Sequence, residues 1–600
     1  MKNVFMAGVF ITLLFCGSPS LSWATSSHTV ETVQQKQKIA GVVVDQNGEP
    51  IIGANILQKG TSNGTITDIN GQFILNCPIG TPLTISYIGF LQQTVKATVN
   101  MKIVLHEDSK TLDEVVVVGY GYVKKSDLTG AVAQVKSGDL LKSSPVSLEK
   151  GLQGRLTGVN VVSNDGAPGG GISIQIRGTN SFQGSTEPLY VIDGVPIADS
   201  NDDTINFDSS SPTYNNALSS LNPSDIASIE ILKDASSTAI YGSRGANGVV
   251  LITTKSGTGL DVKDQISFSY KTTISNPVKK IKVLGARDYA TYRNQSYINT
   301  QEVSNFPWEQ TDLPFPGVEN AEGTYLQGPD DFSNDPYYWQ DQIFRTGVTH
   351  DLNLNIAGQT KGYDYAISGG YLNQEGIVEG SDYTRYTIKL NLNRQVKDWL
   401  KVGANMAYTY FNANSLSEDG SSASSGNVFA ISTRIAPIYP MYIRDGEGNI
   451  MIDKNGYKMY DYGDGENGGL GRPFMSGSNA YSATMLNENN AEGNAINAMG
   501  FAELRFLKDF KFTWTSSVNV DETRSTAFTN PYYGQYASQN GMLYKYHTRN
   551  LAYNHQQLLN WKRSFGSHNL DVMLGHESYR YKYYYLYASK SNMFDPTNHE

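Results

Sequence analysis

The sequence predicts a mainly β protein of several domains, ending in antiparallel strands of the membrane-barrel type. Three observations carry this. The chain has 600 residues, too many for one hydrophobic core. Gly (58) and Tyr (38) are abundant while charged residues make up only 17%, a composition of many turns and many half-buried strands. From about residue 265 the texture becomes long strands with strict alternation, apolar on one face and polar or small on the other.

The N-terminus reads as an export signal. Lys2 supplies the positive end, and Val4 to Cys16 is an apolar run shorter than the ~20 residues a membrane-spanning helix needs. Ser22-Trp23-Ala24 sets small residues at a cleavage site, so residues 1–24 are predicted to be removed. Phe15 is too bulky for a lipoprotein-type site at Cys16. Cleavage leaves only Cys77, so no intramolecular disulfide is expected. The formal net charge of −10 without a basic stripe disfavours nucleic-acid binding.

Residues 25–37 are polar, aperiodic and linker-like. Residues 38–106 read as a small all-β domain with strands at Ile39 to Val44, Ala54 to Leu57, Gly71 to Leu75 and Leu83 to Tyr87. Asn70-Gly71 is a hairpin signal. The string GVVVDQNGEPIIGANI…TDINGQFIL…LTISYIGF resembles the carboxypeptidase regulatory-like domain, a β-sandwich. That resemblance implies a structural or docking module, not a peptidase.

Next comes Leu112-Asp113-Glu114-Val115-Val116-Val117-Val118-Gly119-Tyr120-Gly121, an acidic pair before four valines. Its β propensity is strong and no partner strand is evident nearby. It suits a peptide offered to another protein's sheet edge, or else a buried strand of the next domain. From 122 to 257, Ile172, Ile174 and Ile176 alternate with Ser173 and Gln175, and Arg177-Gly178 breaks that strand. Ile229 to Leu232 and Gly248 to Thr254 read as strands, with a short helix at Asp234 to Tyr241, giving a compact α+β domain. The strings GLQGRLTGVNVVSNDGAPGGGISIQIRGTNSF (151–182), PLYVIDGVPI (188–197) and LNPSDIASIEILKDASSTAIYGSRGANGVVLITTKSG (221–257) resemble the plug domain of TonB-dependent outer-membrane transporters of the SusC/RagA branch. LDEVVVVGYG, within 107–121, resembles that branch's TonB-box segment.

Residues 258–600 read as the first part of a transmembrane β-barrel. The clearest pair is Tyr386 to Leu392 and Leu400 to Tyr410, with even positions apolar or aromatic. The same alternation marks Ile266/Phe268/Tyr270, Leu352/Leu354/Ile356, Phe512/Trp514/Ser516/Val518 and Leu570/Val572/Leu574. Taken singly, each could be an ordinary sandwich strand; the repeated length favours a barrel, since sandwich strands average ~5–6 residues. Tyr408 and Tyr410 suit an interfacial girdle. WQDQIFRTGVTHDLNLNIAG (339–358) and TRYTIKLNLNRQVKDWLKVGANMAY (384–408) also resemble the branch's first barrel strands. Roughly nine or ten strands ~4.8 Å apart would close to a radius of roughly 10 Å, too narrow for a plug, and plugged barrels use about 22 strands. The barrel is therefore expected to be incomplete in this chain, within a longer transporter.

No catalytic constellation is found. His576-Glu577 lacks a histidine at 580, no P-loop is present, and Tyr241-Gly242-Ser243-Arg244-Gly245 misses the nucleophile-elbow spacing. Asp68-Ile69-Asn70-Gly71 and Asp453-Lys454-Asn455-Gly456 lack full calcium-loop spacing and read as turns, and the glycines at 166–171 also read as a turn. The expectation is a non-enzyme with no cofactor and no metal.

The resemblance implies an outer-membrane importer of large nutrients, oligosaccharides or peptides, with its N-terminal domain in the periplasm. It implies TonB, with its inner-membrane energising complex, gripping Asp113, Glu114, Val115, Val116, Val117 and Val118 as an added strand. It implies a SusD-like surface lipoprotein, and outer-membrane lipid around the barrel. Trp308, Tyr337, Tyr338 and Trp339 are weak substrate candidates, because flat aromatics stack on sugars; they equally staple loops. The alternative function is a secreted multi-domain β-sandwich that binds carbohydrate at the cell surface without transport.

Overall fold

The computed structural model describes residues 37–593, apart from 106–114, 119–120, 125–131, 142–150, 179–185, 198–220, 258–263, 305–337, 417–427, 464–474, 533–536 and isolated single or paired positions. The expected signal, the linker before residue 37 and Asp113 and Glu114 lie outside the described residues. The chain forms two compact units that divide after Glu114.

The N-terminal unit contains β1 (Gln37–Val44), β2 (Asn55–Gln58), β3 (Gly64–Ile66), β4 (Gln72–Cys77), β5 (Pro82–Ser86), β6 (Gln93–Lys96) and β7 (Asn100–Val104). Two sheets, ordered β4-β1-β7 and β3-β2-β5-β6, close on one core. Ile39, Phe73 and Leu75 come from the first sheet and Ile56, Leu83 and Ile85 from the second. On β4 the period-two pattern buries Phe73, Leu75 and Cys77 and exposes Gln72, Ile74 and Asn76, the mark of a sandwich strand. Burial pushes the Cys77 thiol up from its ordinary value, which makes it a packing residue rather than a reactive one.

The Asn70-Gly71 turn differs from expectation. It does not join two paired strands: β3 pairs with β2, and β4 pairs with β1. Asp68 Oδ1 accepts from the backbone N–H of Asn70 at 2.9 Å and of Gln72 at 2.8 Å, and the turn carries the chain from one sheet to the other. Gly71 has φ +70°, and a Cβ there would lie 2.5 Å from the Val43 carbonyl oxygen. Gly71→Ala therefore combines a left-handed penalty with a backbone clash. It should destabilise this unit by about 1–3 kcal/mol, seen as faster proteolysis within residues 37–105 while the second unit stays intact.

The second unit begins with a hairpin of β8 (Val115–Val118) and β9 (Gly121–Lys124). The plug follows, with β10 (Val132–Lys136), β11 (Val159–Ser163), β12 (Ile172–Ile176), β13 (Leu189–Ile192), β14 (Val195–Pro196), β15 (Ile226–Leu232) and β16 (Val249–Thr254). Five of these make a sheet ordered β10-β15-β16-β13-β14, and β11 and β12 pair separately. Ile174, Ile176, Ile229, Ile231, Val250 and Ile252 fill the core between them. The strand break at Arg177-Gly178 is visible in φ values of 59° and 93°. The expected helix at 234–241 is one α-helical turn, Ala235–Thr238, continued by a tighter 3-10 segment, Ala239–Gly245. Gly242, at φ 61°, breaks its regularity.

Nine strands then form one antiparallel meander. They are β17 (Gln265–Ser275), β18 (Gly347–Thr360), β19 (Tyr363–Glu375), β20 (Asp382–Lys397), β21 (Leu400–Asn414), β22 (Glu488–Phe506), β23 (Phe510–Thr529), β24 (Met542–Phe565) and β25 (His568–Ser591). Each pairs with its sequence neighbours, and the sheet stays open between β17 and β25. The connections alternate. Residues 361–362, 398–399, 507–509 and 566–567 turn tightly at one rim, while 276–346, 376–381, 415–487 and 530–541 bridge the other. Short turns on one rim and long loops on the other are the habit of outer-membrane barrels.

The two faces separate by chemistry. One rung runs Ile266, Ile356, Ile367, Leu390, Met406, Ala498, Val518 and Tyr553 across eight strands. Ile266 at 71%, Met406 at 49% and Ile367 at 40% are exposed along it, and Ile356, Leu390 and Val518 are half-buried. The opposite face carries Asn353, Ser368, Lys389, Asn405, Thr409, Ser517 and Asn554. An apolar outer face over a polar inner one is stable only with hydrocarbon outside. At the turn rim Phe506, Phe510, Trp561 and Phe565 form a contiguous aromatic row with centroids 5.5–6.5 Å apart. Near the loop rim Tyr371, Tyr386 and Tyr410 do the same at 5.1 and 6.2 Å. From Asn494, opposite Tyr410, to Phe506 the rise is about 30 Å at ~3.4 Å per residue and ~40° tilt, which matches a bilayer core. Among the described residues no helix is long and apolar enough to cross a membrane.

The long connections are more ordered than their composition suggested. The helices Ala286–Ser304, Tyr338–Ile343, Val428–Arg434 and Ala480–Leu486 contribute to a core centred on Trp339, Ile343, Ile431 and Ile435. Between Tyr442 and Tyr460 the chain forms short bridges at Tyr442–Tyr460, Arg444–Ile450 and Ile452–Lys458.

Candidate functional site

The four valines are a strand, but they have a local partner that the sequence did not reveal. Val115 to Val118 pair antiparallel with Lys124 back to Gly121. The hairpin is a two-stranded sheet, so one edge of β8 carries no described strand. An open edge with alternating outward N–H and C=O groups is where another chain can add.

The aromatic candidates divide. Trp308 and Tyr337 lie outside the described residues. Trp339 is 2% exposed, inside the loop core, with the Tyr338 ring edge-on at 5.8 Å. No face of Trp339 is available to a sugar, and its packing is that of a staple holding the loops together.

The sequence reading missed the seat of the plug in the wall. Asp193, in the β13–β14 turn at φ 50°, is held by the backbone N–H of Thr254 at 2.9 Å and its hydroxyl at 2.7 Å. Asn405 on β21 donates to the same carboxylate, and Lys389 on β20 lies 3.6 Å from it. Beside them a cavity of about 10 Å³, room for roughly one water, is lined by Asp225, Lys255, Asn355, Ala366, Ser368 and Lys389. Burial pushes the Asp225 carboxyl up, against the opposing pull of the Ser368 hydrogen bond and of Lys389, Lys255 and Arg385. Burial likewise pushes the Lys255 ammonium down, and Asp225 resists this. Around this centre Asn222 donates to Asn353 at 2.6 Å, and the Arg385 guanidinium donates to the Leu221 carbonyl at 3.2 Å. Farther along the wall Arg244 pairs with Glu577 at 3.1 Å and covers the Tyr579 ring at 4.8 Å. Gly169, at φ +70°, lies directly against the Tyr383 ring, where a side chain has no room.

On the wall side Lys389 and Asn405 were individually visible as polar residues on one face of alternating strands. Only their convergence with loops more than a hundred residues away marks them as a seat. The plug's own packing is apolar, whereas its contact with the wall is dominated by hydrogen bonds and charge. Such an interface holds a domain in place without fusing it to the barrel.

A nine-stranded lipid-facing sheet with a polar-seated plug defines the class, a plugged membrane β-barrel protein. Residues 124–249 match the TonB-dependent receptor plug domain family, and residues 39–117 match the carboxypeptidase regulatory-like domain family. The chain is 34% identical over 560 residues to the TonB-dependent receptor SusC of Bacteroides thetaiotaomicron, covering 92% of this chain and 51% of that one. It is 37% identical over 416 residues to the TonB-dependent receptor P26 of Formosa agariphila, covering 69% of this chain and 37% of that one. Among solved structures, the RagAB peptide importer in its open-open state superposes with a TM-score of 0.63 at 26% identity, covering 80% of this chain and 51% of that chain. The chain thus spans about half the length of the SusC and RagAB relatives, and it belongs to the SusC/RagA type of TonB-dependent receptors.

Proposed function

We propose that the full-length protein imports a large nutrient across the outer membrane, driven through TonB. The observation that carries this is the polar seat, which lets a blocked barrel be opened by force. No nucleotide-binding motif is found in the sequence, so the work comes from a partner on the turn-rim side. On this reading TonB adds a strand to the free edge of β8, with Asp113 and Glu114 orienting it. The RagAB structure, a peptide importer, supports peptide as one cargo class; oligosaccharide as the other, and a SusD-like lipoprotein over the loop rim, are what the family resemblance implies.

The test is uptake of labelled oligosaccharide and peptide pools by cells with and without TonB. The expected result is envelope-associated, heat-modifiable protein whose surface binding persists without TonB while accumulation stops. Accumulation that continues without TonB would overturn the reading. Release of the protein by salt would favour the secreted sandwich instead.

A further inference from the structure

The segment from Glu577 to Ser589 places a tyrosine at every second position: Tyr579, Tyr581, Tyr583, Tyr585 and Tyr587. A period of two puts all five on one face of β25. That face is the lumen. Tyr579 lies under Arg244 of the plug, and the Tyr581 hydroxyl donates to Asn550 at 2.7 Å, itself buried on the inner face. The row continues onto β24, where Tyr587 meets Tyr544 at 6.2 Å and Tyr546 at 5.1 Å. Tyr583 and Tyr585 stack with centroids 6.4 Å apart and planes within 12°. β25 climbs from the turn rim at His568 towards the loop rim at Ser591. The rings therefore start at the plug and rise towards the loop rim.

We infer that this ladder is a lumenal binding track for neutral oligosaccharide, leading from the loop rim to the plug. The inference rests on the import reading above and names the substrate class. Its chemistry is specific. The C–H face of a pyranose is apolar and its rim is hydroxylated, so it wants a flat ring beneath and hydrogen-bonding groups beside. The rings supply the first. Tyrosine hydroxyls with Thr548, Asn550 and Asn554 on the same face of β24 supply the second. Between Glu577 and Ser589 the inner face of these two strands carries no charge, so a phosphorylated, sulfated or strongly charged cargo gains nothing along it. Rings repeated along a strand also let a chain move by one unit without losing all its contacts. Isolated anchors such as Trp339 do not allow that.

The experiment uses the full-length protein in outer-membrane vesicles, with a panel of neutral gluco-, fructo- and xylo-oligosaccharides of increasing length and a matched set of peptides. Tyr583→Ala/Tyr585→Ala/Tyr587→Ala is compared with the triple Phe series. Oligosaccharide binding should tighten with chain length in the wild type. It should weaken by about tenfold or more in the Ala variant, taking each ring at the size of an ordinary aromatic contact, and survive in the Phe variant. Peptide binding should change less than twofold. Equal surface display and heat-modifiable migration show that the Ala variant folds. The inference is overturned if the wild type binds none of the panel, if the Ala variant binds like the wild type, or if peptide binding falls in parallel. Failure of the import reading looks different: accumulation becomes independent of TonB while the Ala and Phe series still diverge in binding.

Discussion

Removing residues 112–118 from the full-length protein brings uptake down to background and leaves ligand binding at the cell surface unchanged. The reasoning is mechanical. If force enters along an added strand, it passes through main-chain hydrogen bonds, each worth about 0.5–1.5 kcal/mol net. Three or four such bonds along β8 amount to about 2–6 kcal/mol, so their loss weakens the grip by roughly 30-fold to 10⁴-fold. A finer version uses proline. Along an antiparallel strand, alternate residues send their N–H to β9 and to the open edge. Proline scanned through Val115, Val116, Val117 and Val118 should then show a period of two. At edge-facing positions uptake falls while the hairpin stays protected from hydrogen exchange. At β9-facing positions both are lost. Uniform loss across all four valines would point to a buried structural strand instead, and undiminished uptake after the deletion would remove the segment from the mechanism.

How much of this was legible beforehand depends on the range of the interaction. The barrel strands were readable because lipid on one side and water on the other impose a period of two on each strand by itself; Ile388, Leu390 and Leu392 announce their face without reference to any neighbour. The N-terminal sandwich was expected from the resemblance of its strings to the carboxypeptidase regulatory-like domain, and the alternation of Phe73, Leu75 and Cys77 on β4 is the packing behind it. The destination of a turn was not. Asn70-Gly71 makes the same tight bend whether or not the flanking strands pair, and pairing is decided by β1 and β2 far along the chain. The seat was the least visible part. Lys389 looks like any lumen-facing lysine until the β13–β14 turn brings Asp193 to it and the short turn just before β15 brings Asp225. The helix Ala286–Ser304 was missed as well, because its sequence carries no strong apolar stripe and its order comes from packing of the loop core.

The seat makes the second large prediction. Lys389→Met keeps the volume of the side chain but removes the cation that faces Asp193 and Asp225. Lys389 is nearly buried, with 8% of its side chain exposed, so water does not screen the loss. Breaking one side of a buried charge arrangement costs about 3–5 kcal/mol, and the hydrogen bonds Asp193 keeps from Thr254 and Asn405 place this case near the lower end. The plug should loosen, read as faster hydrogen exchange at the β13–β14 turn and as new sensitivity of cells to antibiotics normally too large to cross. Neutralising the whole set at once, Asp193→Asn, Asp225→Asn, Lys255→Met and Lys389→Met, should restore the barrier, because a buried charge network replaced by neutral groups of similar size is often neutral or stabilising. A leak in the single variant that disappears in the quadruple assigns the effect to uncompensated charge. A leak in both assigns it to lost packing and would show that the plug is held by shape alone. If the quadruple variant seals the barrel but imports more slowly, the charges are there to keep the plug removable: a drier interface holds as firmly at rest and yields less readily to a pull from the β8 edge.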